Sequence, residues 1–390
     1  MAGFIKQNEN LIYIAAISVF LPYYISAIVL VGLALYVLIA KKPLQTVFSH
    51  SGSLLFSAFS LLTLIVAIFN RNYFGAIGSL AAFLIMVLGF YFTTVMTSEA
   101  FEKALDICCF PPIIILPIII IEKIIFFDSQ WHRCCGDLFE NMYTSIFFHP
   151  NYLGSIMAAV VLICAYKVII KKTNNKFYYL IAFISLIIIY LTESMFACVE
   201  VFVGLAALLF VANRHILLAF LCLAATFLCA VIYIVPDVFP RILQADGTFE
   251  NRLLIWGLTL ERIPEHFWFG QGFFAYFKIC TETVGAYFTT HAHNLVLEPL
   301  LSFGIIGSLL LFGLAFLLLQ KLFLCKGLLR NSSKTFLILP LLAAILIHSI
   351  IDMTMLWHQT ALLYTIILAG YGADQKKIQN IFKKRKENLV

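Results

Sequence analysis

The sequence predicts an all-α, polytopic integral membrane protein with about eleven or twelve transmembrane helices and one long extracytoplasmic loop that contains short helices. Of its 390 residues, 62% are apolar and only 12% are charged, whereas soluble globular proteins carry about 25% charged residues. The breaks between the apolar runs are alternately rich and poor in lysine and arginine, which is the pattern of loops that lie alternately in the cytoplasm and outside it. We therefore expect residues 1–390 to form a single transmembrane domain.

Eleven apolar runs, separated by short polar breaks, are each long enough to span a bilayer. The first run contains Pro22, which predicts either one kinked helix or two short helices in a hairpin. This run is too long for the apolar region of a secretory signal and lacks a convincing cleavage site, so we expect it to be retained. The runs are 11–40, 51–69, 74–97, 104–127, 151–170, 177–193, 195–213, 215–236, 293–319, 335–351 and 355–373.

Every second break between these runs is rich in lysine and arginine, which indicates that it lies in the cytoplasm. The basic tail 374–390 belongs to this set, and we interpret it as a topology anchor near anionic lipid rather than as a partner motif. The other breaks are predicted to face outward. They contain Arg71, 128–150, 192–194, 237–290 and 352–358.

The net charge of +6 does not indicate a nucleic-acid partner, because the basic residues are scattered among apolar runs and form no stripe with interleaved aromatic residues. Most of the ten cysteines lie inside apolar runs, where cysteine is usually a small core residue. The adjacent pairs Cys108/Cys109 and Cys134/Cys135 lack the spacing of a metal site, and vicinal disulfides are strained.

Glu193 and Glu200 lie at or within apolar runs. An acid inside a membrane is a functional hypothesis by default, and pairing with an arginine or lining a water-filled cavity would explain these two equally well. Asn151 follows Pro150 at the start of another run, and the favoured interpretation of this pair is a helix entry.

The segment 237–292 is the only soluble stretch of any size, and loops of this length are usually functional. Apolar positions recur at helical spacing within 250–263, so this part should form a helix that Pro264 ends. Those positions are Leu253, Trp256, Leu260 and Ile263.

Arg252 would project from this helix beside its apolar stripe, at the membrane surface. Such an arginine can snorkel toward water, or it can hold an anion, because its planar guanidinium matches two phosphate oxygens at once. The spacing alone favours snorkelling slightly. Gly270 and Gly272 follow, and without a preceding strand they indicate a tight turn more than a phosphate cradle.

His291, His293 and Asn294 lie where the loop re-enters the membrane. A histidine there can accept a proton from a sugar hydroxyl at neutral pH, or it can help to start the next helix, and the residues alone do not separate these roles for His293. The spacing of the two histidines would also suit a metal ion, but no third ligand follows at a matching spacing. Glu298, Asp352 and His358 are the residues that could approach in three dimensions.

Four segments follow one another along the chain, namely HPNYLG, LTESMFA, NRLLIWGLTLERIPEHFWFGQGFF and HAHNLVLEPLLSFGIIG. Their order resembles that of the O-antigen ligase and polysaccharide polymerase superfamily over about residues 145–320. The most specific features are the Arg-x-x-x-Trp helix, the Gly-x-Gly turn, the His-Asn re-entry and the trailing Gly304 and Gly307.

The resemblance implies a metal-independent, inverting glycosyltransferase without a cofactor, in the inner or plasma membrane, with its active site on the extracytoplasmic side. Its donor would be a glycan on a polyprenyl diphosphate such as undecaprenyl diphosphate, and its acceptor a hydroxyl of a glycan, lipid or wall component. Membrane lipid would surround it. Carried over by position, Arg252 binds the diphosphate and His293 activates the acceptor. We assign Arg241 as a further candidate diphosphate ligand, and the candidate supporting residues are His291, Asn294, Trp256 and Asn151.

One departure from the family concerns the residue after Ser194. The family commonly has an arginine there that helps to hold the diphosphate, but this chain has Met195. Arg241 or Arg262 is the candidate substitute. The resemblance does not separate a ligase from a polymerase, and the alternatives from other classes are a transporter or flippase of lipid-linked glycans and a non-catalytic scaffold.

Overall fold

A computed structural model describes residues 2–126, 149–235, 245–329 and 333–387. Within these ranges the chain forms seventeen α-helices and contains no strand. The helices are α1 Ala2–Ser18, α2 Tyr23–Ile39, α3 Lys41–Phe48, α4 Ser51–Phe69, α5 Tyr73–Val95, α6 Ser98–Cys109, α7 Pro112–Phe126, α8 Pro150–Ile169, α9 Lys176–Leu191, α10 Met195–Val211, α11 His215–Ile234, α12 Ala245–Arg262, α13 Ala275–Glu282, α14 Leu297–Leu329, α15 Thr335–His348, α16 His358–Leu368 and α17 Gly370–Glu387.

Six stretches of the described chain are long and apolar enough to cross a membrane, or seven if the bent pair α2 and α3 forms one span. Three shorter apolar helices, α9, α10 and α15, accompany them. The predicted all-α, polytopic membrane fold is therefore confirmed, whereas the total of eleven or twelve crossings stays a prediction. At Pro22 the first apolar run divides into two helices, α1 and α2, in place of one kinked helix.

α8 forms the centre of the helix packing. It packs against α9 and α10 and also touches α15 and α16, and most of its side chains are buried. A helix that is apolar on all sides fits this position, because every face meets another helix. α11 is the opposite case, since none of its side chains is buried, as expected of a helix that faces lipid.

Lysines from breaks that were predicted to lie in the cytoplasm meet at one end of the bundle. Glu102 of α6 accepts ion pairs from Lys167 at 3.0 Å, Lys171 at 2.8 Å and Lys334 at 2.9 Å. Lys167 also lies 2.6 Å from Asp106. The breaks predicted to share a side of the membrane are thus adjacent in space.

The helix predicted for 250–263 is present as α12, and a 3-10 turn, Ile263–His266, follows it at Pro264. Gly270 and Gly272 form the expected tight turn, with φ values of +67° and +88°. A side chain on Gly270 would overlap the backbone of Ser302 and Phe303. The turn therefore docks the loop against α14, at the point where Gly304 kinks that helix.

Candidate active site

His291 and His293 lie side by side just before α14. Their two imidazole rings are 4.0 Å apart between centroids. Both side chains are almost fully buried, with 2% and 9% of their surfaces exposed. His293 has a φ of +50°, an uncommon value for a residue other than glycine, and such values concentrate at functional sites.

Asp352, in the turn after α15, joins the two histidines. Its Oδ1 accepts hydrogen bonds from His293 Nδ1 at 2.8 Å and from His291 Nε2 at 3.2 Å. Its Oδ2 accepts a hydrogen bond of 2.8 Å from the Asn151 side chain of α8. Both carboxylate oxygens are therefore occupied, and Asp352 is only 3% exposed.

These contacts assign the ring protons of both histidines, because a carboxylate can only accept a hydrogen bond. His293 carries its proton on Nδ1, which leaves the Nε2 lone pair to accept from the Thr289 hydroxyl at 2.7 Å. His291 carries a proton on Nε2, and its Nδ1 lies 2.9 Å from the Thr290 hydroxyl. A hydroxyl oxygen, that of Thr289, therefore occupies the accepting nitrogen of His293.

Burial lowers the pKa of His293 to about 3, and the neighbouring charges of His291 and Arg252 act in the same direction. Burial would raise the pKa of Asp352, but attraction and hydrogen bonding from His293 and His291 hold that pKa well below its usual value. At neutral pH the cluster consequently contains an ionised carboxylate beside a neutral His293.

The segment with the histidines is fixed by side chains from two helices. Trp256 of α12 donates from Nε1 to the Ala292 carbonyl at 3.1 Å. Glu298 of α14 accepts from the Ala292 amide at 2.7 Å and from the Ser302 hydroxyl at 2.7 Å. The backbone between the two histidines is therefore held from both sides, which preorganises their rings.

Arg252 lies on α12 one turn before Trp256, half-buried, with its charge close enough to His293 to lower the pKa of that imidazole. Its buried Nε has no hydrogen-bond partner in the described ranges. Within the same ranges no carboxylate forms an ion pair with Arg252. An arginine that faces a site without a neutralising acid is suited to an anionic ligand.

A known protein family matches the part of the chain that contains Arg252 and the histidine segment. Residues 180–312 match the model of a family described as O-antigen ligase. These residues belong to the O-antigen ligase family. The chain matches no curated protein. Glycan transfer of the ligase or polymerase type is therefore the general function that the matched residues support.

The O-antigen ligase match includes Arg252, Trp256, His291 and His293 but ends before Asp352. Asp352 is the site residue whose only sequence-predicted role is that of a possible metal ligand. The sequence feature that could have identified Asp352 as a site residue is its position, because it is an acid in a short turn between two apolar runs. Its partner His293 lies 59 positions earlier, so no local pattern connects them.

Asn151 and Asn294 make structural contacts at the candidate site. Asn151 follows Pro150 at the predicted helix entry, where its amide donates to the His149 side chain, and its own side chain holds Asp352. Asn294 accepts from two amides at the start of α14 and donates to the Ile350 carbonyl at 3.2 Å. Asn294 thus starts the helix and connects it to the turn that bears Asp352.

Of the two candidates for a second diphosphate contact, Arg262 is described by the structure and Arg241 is not. Arg262 is paired with Glu265 at 2.8 Å, and it lies ten residues along α12 from Arg252, or about 15 Å at the helical rise. It therefore does not substitute for the arginine that Met195 replaces. Arg241 lies outside the described residues, as do Cys134 and Cys135, and its role stays a prediction.

The ligand atoms of His291, His293 and Asp352 lie within 4.8 Å of one another, a spacing that a metal ion would also accept. The other candidate ligands are engaged elsewhere. Glu298 binds the Ala292 amide, and His358 contacts the Tyr23 carbonyl at 2.8 Å. Only three of the possible ligands therefore converge.

Proposed function

We propose that this protein transfers a glycan from a polyprenyl diphosphate lipid to an acceptor hydroxyl at the extracytoplasmic face of the membrane. The observation that carries this proposal is the pairing of Arg252, which no acid neutralises in the described chain, with a His293 whose Nε2 receives a hydroxyl. The O-antigen ligase match over 180–312 supports the reaction class. The outward placement rests on the alternating lysine and arginine pattern.

Arg252 would bind the diphosphate of the donor. Negative charge grows on the leaving diphosphate as its bond to the sugar breaks, and a cation already in place stabilises that charge without rearrangement. The forked guanidinium can contact two phosphate oxygens at once. No nucleotide is needed, because the diphosphate of the donor is itself the leaving group.

His293 would act as the general base. The acceptor hydroxyl would displace the Thr289 hydroxyl from its position 2.7 Å from Nε2, and its oxygen would attack the anomeric carbon from the face opposite the diphosphate. The bond from that carbon to the diphosphate breaks, the diphosphate leaves with the electron pair, and the hydroxyl proton moves to Nε2. Attack from the opposite face inverts the anomeric configuration.

Asp352 would orient this base. Its contact with Nδ1 fixes the proton there, so that Nε2 is the accepting nitrogen. Its negative charge also stabilises the imidazolium that forms when His293 takes the proton. The contact between Asp352 and His293 Nδ1 would therefore allow the cluster of His291, His293 and Asp352 to transfer protons. We propose that this cluster works without a metal ion.

The test uses purified protein in vesicles with a glycan on a polyprenyl diphosphate and, in separate reactions, a glycan or a lipid acceptor. We expect transfer with release of the glycan-free lipid diphosphate, unchanged by a chelator. Product with the glycan acceptor alone would indicate a polymerase, and product with the lipid acceptor alone a ligase. No product with either acceptor, or activity that a chelator removes and zinc restores, contradicts the proposed mechanism.

The pH dependence of the reaction follows from the pKa of His293. Because that pKa is lowered to about 3, the neutral, basic form persists well below neutral pH. We expect kcat/KM to change less than about twofold between pH 8 and pH 5, whereas an ordinary histidine base with a pKa near 6.5 would lose about 30-fold. The measurement is an initial-rate profile at low donor concentration. A fall centred near pH 6.5 would contradict the assignment of this histidine.

A further inference from the structure

A second carboxylate and imidazole pair lies beside the site, inside the helix bundle. His348 Nδ1 of α15 is 2.9 Å from Glu200 Oε1 of α10. The two residues are 0% and 1% exposed, and both belong to short apolar helices. Ionisable groups at such depth are costly, and a buried pair is weak evidence of added stability. Their presence therefore calls for a functional explanation.

His348 is the last residue of α15, and Asp352 follows it by one helical turn. The Asp352 amide donates to the His348 carbonyl at 2.9 Å. The backbone that starts the Asp352 turn is therefore the backbone that carries the imidazole bound to Glu200. A displacement of His348 would move Asp352 with it.

α8 holds the same turn at two further points. Asn151 and Ser155 are four residues apart and share one helix face. Asn151 binds Asp352, while the Ser155 hydroxyl lies 3.2 Å from His348 Nδ1 and 3.3 Å from Thr354 Oγ1. Both ends of the turn are thus attached to α8, and Glu200 adds the attachment to α10.

His348 is also in electrostatic contact with the site. The charged groups that act on it are Glu200 from α10, Asp352 from the turn and Arg252 from α12. Neither oxygen of Glu200 has an aligned hydrogen bond with a described residue, so the attraction to His348 is the contact that retains this carboxylate.

We propose that Glu200 and His348 are positioning residues for glycan transfer, which hold the turn after α15 so that Asp352 reaches His291 and His293. This inference rests on the proposed function for its kinetic consequence. Its structural part, that the pair keeps Asp352 on His293, is independent of the reaction.

The test replaces both members by apolar residues, as Glu200→Leu/His348→Leu. Exchange of a complete buried ion pair for apolar side chains often leaves stability unchanged or higher, whereas removal of one member leaves an unpaired charge. The buried cysteines allow the melting temperature to be measured with a thiol-reactive dye. The control is Ser185→Ala, a buried hydroxyl on α9 without a described hydrogen-bond partner.

In the double variant we expect an unchanged melting temperature, a kcat at least tenfold lower and a donor KM within twofold of the wild type, because Arg252 is untouched. His348→Asn, which keeps a donor near the Nδ1 position, should retain more activity than His348→Leu. A double variant with the wild-type kcat overturns the proposal, and so does a kcat that falls only in proportion to folded protein.

Modification of His293 by diethyl pyrocarbonate, followed by mass spectrometry, gives a readout without any substrate. We expect the double variant to react at least fivefold faster, because the imidazole is released from Asp352, and Ser185→Ala to react like the wild type. Faster modification together with no transfer by the wild type would leave the positioning role intact and remove the proposed function. An unchanged modification rate overturns the positioning role even if the wild type transfers glycan.

Discussion

His293→Ala is expected to lower kcat for glycan transfer about 100-fold to 10,000-fold, the usual contribution of a positioned general base. The acceptor hydroxyl would then have to lose its proton to water, in a site that is almost closed to solvent. Donor binding should change little, since the phosphate contact is assigned to Arg252. The measurement is single-turnover transfer with saturating donor, together with equilibrium binding of the lipid diphosphate.

The matched control is His266→Ala, a histidine of the same loop that lies in the 3-10 turn after α12. We expect its kcat to remain within about twofold of the wild type. Equal losses in the two variants would point to a general effect on the loop. Unchanged transfer by His293→Ala would remove the proposed base.

The helical fold was predictable because each spanning helix has to be apolar along its whole length, and this leaves a long signal in composition. Helix ends were predictable where proline dictates them, as at Pro22 and Pro264. The number of membrane crossings was harder to predict from the sequence. α9, α10 and α15 are apolar but short, so length alone does not count them, and α14 continues well beyond the predicted run 293–319.

The sequence predicted the site residues that lie close together along the chain, but it did not predict the contacts between site residues that are distant in sequence. Arg252 and Trp256 are one helical turn apart, and His291 and His293 are two residues apart, so local spacing was enough to bring each pair together. Asp352 and Asn151 reach the histidines only through the packing of α8 beside α15. Glu200 shows the same limit, because the sequence suggested an arginine partner or a cavity and the structure provides His348.

Residues that the alternation of basic breaks predicts on the same side of the membrane are in contact with one another in the structure. Ser194, Asn151, Asp352 and His291 come from four separate breaks or helix starts on the predicted outward side, and hydrogen bonds connect them in one network. Lys167, Lys171 and Lys334 come from the opposite set and meet at Glu102. Insertion signals and tertiary contacts are therefore consistent with the same topology.

Arg252→Ala should lower kcat/KM about 100-fold to 1,000-fold, as expected for loss of one preorganised contact to a developing anion. Arg252→Lys should recover only part of this, since an ammonium group supplies charge without the planar fork. Arg262→Ala is the control on the same helix, because its side chain is already paired with Glu265, and it should leave kcat/KM within about twofold.

The Arg252 series also separates the transferase from the other classes of protein. In a transferase, Arg252→Ala weakens binding of the lipid diphosphate, whereas His293→Ala preserves that binding and removes the chemical step. A flippase would lose lipid movement with Arg252 and show no transfer in any variant, and a scaffold would tolerate both changes. Equal donor affinity in Arg252→Ala and the wild type contradicts the diphosphate contact, because no other described cation replaces Arg252 beside His293.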